Sequence, residues 1–139
     1  MPKWGLDFLK AMRDGTLSTP PPPFAAHLNL RQSVRIEDFE EGRVVLYWTV
    51  EKHFTLPDGI VQGGLLCTIA DQSQTFALFS MLDAHEVWPT LDLHIRFIRP
   101  ARNDDVVRLE SKVVSRTKVT AVVETTCENS ERRISSGDT

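Results

Sequence analysis

A chain of 139 residues sets the expectation of one domain, and with 41% apolar and 25% charged residues it can bury a real core. A net charge of −3, with no basic helix and no alternation of basic and aromatic residues, argues against a nucleic-acid partner. The longest apolar run, residues 76–82, is broken by Ser80 and too short to cross a bilayer, the first ten residues lack the apolar stretch of a secretory signal, and two cysteines make no disulfide framework, so a cytoplasmic protein with reduced thiols and no membrane contact is expected.

In chain order, residues 3–13 carry apolar side chains at Trp4, Leu6, Phe8, Leu9 and Met12, a spacing that predicts a short amphipathic helix ended by Gly15. Residues 16–23 include four consecutive prolines and predict a stiff extended connector. The chain therefore divides into residues 1–23, an N-terminal helix with its connector, and residues 24–139, the main domain. A helical turn is expected over residues 24–27, followed by a period of two. Leu28, Leu30, Val34 and Ile36 predict a first strand and residues 38–42 a turn. Val44, Leu46, Trp48 and Val50 predict one face of a second strand, and P-D-G marks a turn within residues 54–59.

Residues 60–82 then predict the longest helix, about 34 Å if continuous. After it the period of two returns. Leu91, Leu93, Ile95 and Phe97 alternate with Asp92, His94, Arg96 and Ile98; Val107, Leu109 and Val113 mark another strand, and Val119, Ala121, Val123 and Cys127 a last one. Residues 130–139 form a polar end. The alternating faces predict an antiparallel sheet covered on one side, and only the long helix can cover it. The expected fold class is α+β: one curved sheet of five to six strands around one central helix, with an extra helix at the N-terminus.

The middle of the long helix departs from its surroundings. Of the eight residues from Thr68 to Thr75, six are polar, although apolar residues flank them on both sides. A local departure from the burial pattern points to a site. Gly63 and Gly64 stand near the helix start, where backbone N–H groups lack partners and the macrodipole is positive. Such a place can receive a polarised carbonyl, although a glycine pair also suits a tight turn. Asp71 lies eight residues further, about 12 Å along the axis, so it cannot serve a carbonyl at the start of its own helix. An antiparallel copy of the helix would bring its own Asp71 there, which predicts a two-fold dimer.

The carboxylate can act as general base or as nucleophile. Thr75, one turn on, can orient it or bond its own backbone instead. The four histidines show no metal-ligand spacing, and G-x-S-x-G, P-loop and G-x-G-x-x-G motifs are absent, so neither a metal nor a cofactor is expected. Phe76, Phe79, Met81 and Trp88 are candidates for an apolar pocket.

Two segments, L-P-D-G-I-V-Q-G-G-L-L-C-T-I-A-D and T-L-D-L-H-I-R-F-I-R-P-A, resemble the hotdog-fold acyl-CoA thioesterases of the PaaI type, and the resemblance extends from about residue 24 to the end. It implies a hotdog fold and hydrolysis of an acyl-CoA or aryl-CoA thioester, with coenzyme A as part of the substrate. It also implies a homodimer or a dimer of dimers. By position it implies Asp71 as catalyst and the Gln62–Gly63–Gly64 helix start as carbonyl-polarising amide. Thr90 falls where some members carry a hydroxyl at the next strand, and Ser115, Arg116, Thr117 and Lys118 fall where the coenzyme arm is met.

Two positions depart from the pattern. Gln62 replaces the usual His; it can donate a hydrogen bond but cannot protonate a leaving thiolate. Leu56 replaces an Asn and has no amide to place a water. The alternative reading is a hotdog protein that binds an acyl-CoA or aromatic ligand without turnover. A hydratase ranks last, because no His lies in the helix.

Overall fold

The structure is a computed structural model and describes residues 4–96 and 98–129. The chain opens with helix α1 (Trp4–Asp14), whose apolar stripe buries Leu9 completely and which ends where Gly15 turns left-handed at φ +74°. After the proline stretch comes α2 (Pro23–His27), with Pro23 in the first turn, where a missing N–H costs nothing. The predicted first strand begins later than its alternation suggested. Asn29 is left-handed and opens a short helix, α3 (Leu30–Ser33), so the apolar spacing of Leu28 and Leu30 serves helical turns rather than a pleat.

Strand β1 (Val34–Glu40) takes up the first three residues of the expected turn, and the chain reverses within it at residues 41–42, with Gly42 at φ +82°, into β2 (Arg43–Thr49). The long helix, α4 (Gly63–Phe79), is shorter at both ends than expected. Ile60 and Val61 are held extended by isolated bridges to Arg102 and Thr55, and Gln62 caps the helix start. At the other end the Ser80 hydroxyl donates to the Ala77 carbonyl at 2.5 Å and accepts from the Gly42 N–H at 2.7 Å, tying the β1–β2 turn to the helix terminus. Strands β3 (Val106–Arg116) and β4 (Ala121–Asn129) complete one antiparallel sheet in the order β1-β2-β3-β4.

Helix α4 lies across β2, β3 and β4, and Ile69, Ala70, Phe76 and Ala77 from its inner face join Leu46, Trp48, Val107 and Leu109 of the sheet in the core. One long helix on one antiparallel sheet, with an additional N-terminal helix, is the fold the sequence predicted, with four strands instead of five to six among the described residues. The difference is the segment after α4. Residues 85–96 form no ladder; Leu93 and Ile95 are half-buried and Asp92, His94 and Arg96 exposed, as the alternation required, but Leu91, expected to turn inward with them, is exposed. Phe97 and the polar end, residues 130–139, lie outside the described residues. A period of two fixes which side chains turn inward; a strand also needs an edge to pair with. Among the described residues, no helix is long and apolar enough to cross a membrane.

Helix α1 docks on the end of α4. The Gly5 N–H donates to the Leu82 carbonyl at 3.0 Å, which satisfies a donor of the first turn with an acceptor just past the other helix. Trp4 and Phe8 stack at 5.3 Å and meet Phe79 edge-on at 5.1 and 5.7 Å.

Candidate active site

One face of α4 presents Asp71, Gln74, Thr75 and Leu78, the i, i+3, i+4, i+7 stripe of a helix. The stripe forms the wall of a groove of about 290 Å³. The segment 88–92, from Trp88 to Asp92, lies opposite, and residues 119–123 from the β3–β4 turn and the start of β4 close the third side. Asp71 is half-buried, and its Oδ1 accepts a hydrogen bond from the Thr90 hydroxyl at 2.6 Å. That short distance is typical of a hydroxyl bonded to an ionised carboxylate. The Thr75 hydroxyl donates to the Asp71 backbone carbonyl at 3.0 Å, so it serves its own helix while its side chain lines the groove. Gln74 donates through Nε2 to the Val123 carbonyl at 3.3 Å and fixes the helix to β4.

The polar patch on α4 thus divides by face. Ser73 points into the sheet, fully buried, where its hydroxyl meets that of Ser111 at 2.7 Å and Ser111 meets Thr125 at 2.7 Å. Asp71, Gln74 and Thr75 point into the groove.

At the start of α4, the Gln62 Oε1 accepts from the Leu65 N–H at 3.0 Å, a side-chain cap. The cap passes close to Gly64: a Cβ there would stand 3.0 Å from that oxygen, so a side chain at position 64 would press on the cap. Gln62 also receives the Leu66 N–H on its backbone carbonyl. The N–H groups of Gly63 and Gly64 remain, with no acceptor among the described residues.

Gly63 lines a second groove, of about 300 Å³, with Ile60, Val61, Leu66, Ile98 and Arg99 among its walls. Asp71 does not reach this groove, and Gly63 does not reach the first. The two groups that the sequence singled out therefore open into separate cavities of the same chain.

Other expected residues are distributed unevenly. Thr90 lies in the first groove against Asp71. Ser115, Arg116, Thr117 and Lys118 are exposed at the end of β3 and in its turn, where the Thr117 and Thr120 hydroxyls bond at 2.9 Å. Arg116 lies over the Trp88 ring, 5.6 Å from its centre, and donates to the Met81 carbonyl at 3.5 Å. Phe76, expected to line an apolar pocket, is buried in the core against Phe8. Phe76 follows Thr75 by one residue, about 100° around the helix, so it faces the sheet when Thr75 faces the groove. Phe79 likewise packs under α1, and only Trp88 of that group lines the Asp71 groove.

Leu56, 45% exposed in a turn closed by the Gly59 N–H to its carbonyl, lines neither groove. Gln74, Asp92 and Thr120 were not singled out from the sequence. Helical spacing from Asp71 would have found Gln74; Asp92 and Thr120 enter the groove only through tertiary packing.

Residues 58–136 match the family model described as the thioesterase superfamily. No curated protein matches the chain. Among solved structures, the chain is similar to a hypothetical thioesterase with coenzyme A from Streptococcus pneumoniae TIGR4, at 25% identity, covering 72% of this chain and 76% of that one, TM-score 0.66. It is also similar to a phenylacetic acid degradation-related protein from Ralstonia eutropha JMP134, at 23% identity, covering 87% and 88%, TM-score 0.71. A third is the PaaI protein of the phenylacetic acid degradation operon of E. coli, at 22% identity, covering 91% and 82%, TM-score 0.66. The last two likenesses bear on the fold alone.

Proposed function

The chain belongs to the thioesterase superfamily, and on that premise we propose that it hydrolyses an acyl-CoA or aryl-CoA thioester at a centre completed by a second copy of itself. One observation carries the reading: Asp71 and Gly63 open into different grooves. About 12 Å of helix axis separates them, far more than one carbonyl group can bridge. A second α4 lying antiparallel would join the Asp71 groove of one protomer to the Gly63 groove of its partner. Leu91, Val119 and Val122 at the first groove are 86%, 80% and 55% exposed, and Ile98 at the second is 83% exposed. Such apolar margins suit contact with another protein surface.

In the joined centre, the Gly63 and Gly64 N–H groups donate to the thioester oxygen and stabilise negative charge as the carbonyl carbon becomes tetrahedral. Asp71, held by Thr90, takes a proton from water as the water oxygen bonds to that carbon. Collapse breaks the C–S bond, and the proton on Asp71 passes to the departing thiolate, giving free acid and coenzyme A. Alternatively, the carboxylate attacks the carbon itself, the C–S bond breaks and the thiolate takes a proton from solvent, and water opens the resulting anhydride at the carboxyl carbon of Asp71. Hydrolysis in heavy-oxygen water under single turnover separates the routes, because only the second leaves solvent oxygen in the product on later turnovers alone.

The coenzyme A in the similar Streptococcus pneumoniae structure favours a CoA ester as substrate. Ser115, Thr117 and Lys118, exposed at the β3–β4 turn, are available to the coenzyme arm. The free thiols of Cys67 and Cys127 suit a reducing, cytoplasmic setting.

The test is release of free coenzyme A from a panel of acyl-CoAs, followed by subunit mixing. Asp71→Asn and Gly63→Val are each expected to be inactive, and a mixture refolded together is expected to recover activity, because the mixed dimer carries one intact centre. A monomeric protein, or no recovery on mixing, would defeat the shared-site reading. The second reading, ligand binding without turnover, is favoured by Gln62, whose Oε1 serves as a helix cap and whose amide cannot protonate a leaving thiolate. Tight binding of a CoA ester with no hydrolysis, unchanged in Asp71→Asn, would establish it instead.

A further inference from the structure

We propose that Arg116 and Trp88 form a clamp that positions Thr90 against Asp71, and that Arg116 acts through this clamp and not as a ligand of the coenzyme phosphates. The inference rests on the thioesterase reading for its kinetic part. It starts from how the segment that carries Thr90 is held: by side chains, with His85 against the Trp4 and Phe79 rings at one end, Ile95 against the core at the other, and Trp88 between them. Among the described residues, no backbone hydrogen bond ties residues 85–96 to the sheet or to each other. Without a ladder, such a segment keeps its full backbone entropy unless side chains fix it. Thr90 nevertheless stands 2.6 Å from Asp71.

Two residues before Thr90, the Trp88 ring is covered by the Arg116 guanidinium at 5.6 Å, and its Nε1 donates to Glu86 at 3.1 Å. The backbone of Arg116 is fixed, since it is the last residue of β3 and pairs with Ala121 of β4. Its Nη1 also reaches the Met81 carbonyl just beyond α4. The guanidinium therefore links the sheet, the end of the helix and the segment that follows it. A planar cation over an aromatic face is a contact that arginine makes well and lysine makes less well.

The intervening residue transmits the constraint. Pro89 locks its own φ near −65°, and a residue before proline is kept out of the helical region. Trp88-Pro89-Thr90 is thus a stiff tripeptide: fixing the indole at one end fixes where the hydroxyl stands at the other. A glycine at position 89 would leave both ends chemically intact and remove the coupling.

The test combines kinetics with a measurement that needs no turnover. Arg116→Ala and Pro89→Gly are each expected to lower kcat about fivefold with KM little changed. In a Thr90→Ala background both effects should disappear, because the group being positioned is gone. Arg116→Lys should recover part of the loss. Nitrogen relaxation of the Thr90 amide should show an order parameter of roughly 0.85 in the parent chain, falling below about 0.6 in Arg116→Ala and in Pro89→Gly. A raised KM with unchanged kcat, persisting in the Thr90→Ala background, would identify Arg116 as a phosphate ligand and overturn the clamp. An unchanged order parameter would overturn it equally. If no acyl-CoA is hydrolysed yet the order parameter falls, the hydrolase reading fails and the clamp stands.

Discussion

The backbone of Gly5 lies so close to Phe79 that a Cβ at position 5 would overlap the Phe79 carbonyl, and the Ser80 nitrogen would be 3.1 Å away. This is backbone against backbone, with no flexible side chain to move aside. Gly5→Ala is therefore expected to push α1 off the end of α4, to break the bond from the Gly5 N–H to Leu82, and to loosen the Trp4–Phe79 ring contact. The expected loss is about 2 kcal/mol, in the range of overpacked cores. Thermal unfolding measures it; a midpoint equal to that of the parent would show that the helices part without cost.

At Asp71 the relevant quantity is a charge-assisted bond. On the proposed mechanism, Asp71→Asn should reduce kcat by at least about a hundredfold, the range for loss of a catalytic carboxylate. Thr90→Ala removes only a donor to the carboxylate, and should lower kcat about tenfold while the fold stays intact. Steady-state kinetics with circular dichroism distinguishes the two, and equal effects would mean that Thr90 does more than hold the carboxylate.

The buried hydroxyls make a stability prediction with an order. Ser111 sits between Ser73 and Thr125, at 2.7 Å from each. Ser111→Ala strands two hydroxyls, whereas Ser73→Ala leaves the Ser111–Thr125 pair whole. The first should cost about 2 kcal/mol and the second less, since an unpartnered buried polar group carries the penalty. The double variant should cost less than the sum, because Ser73 and Ser111 are partners. Chemical denaturation of the three variants checks the order.

Acid should weaken the outer face of the sheet. The Arg43 guanidinium, bonded to Glu110 at 2.6 Å and Asp38 at 3.0 Å, holds both carboxyls below their ordinary values of 4.5 and 3.8. For a carboxyl whose folded pKa is depressed, the unfolded chain takes up protons first as pH falls. The stabilisation is complete above the ordinary values and is lost as pH falls through the depressed ones. Both groups are near the surface, so the effect is screened by salt and small. The parent should lose stability between about pH 5 and pH 2 more steeply than Arg43→Leu. Parallel acid limbs for the two proteins would count against the pairing.

Much of this was legible in the sequence because it depends on local rules. The spacing of Val44, Leu46 and Trp48 marked the face turned to the core, although Val45 on the opposite face is buried too, and a long helix interrupted by polar residues singled out Asp71. The eight-residue interval from Gly63 to Asp71 set their separation along the helix, because helical rise is constant, and the proposal of a shared centre starts from it. Other features had no local signal. Leu28 and Leu30 matched a pleat, yet the left-handed Asn29 made them helical turns.

The segment 91–96 kept its alternation only from Asp92 on, with Leu91 86% exposed, and formed no strand, since pairing depends on a neighbouring edge and not on the segment itself. The neighbours of Asp71 were decided in the same way. Sequence determined where the carboxylate and the glycine-rich helix start stand, because residue type and spacing along one element decide both. Only the tertiary structure decided that Thr90 holds the carboxylate, that Phe76 leaves the groove for the core and that Arg116 covers Trp88. Those contacts join distant parts of the chain, and no period within a single element encodes them.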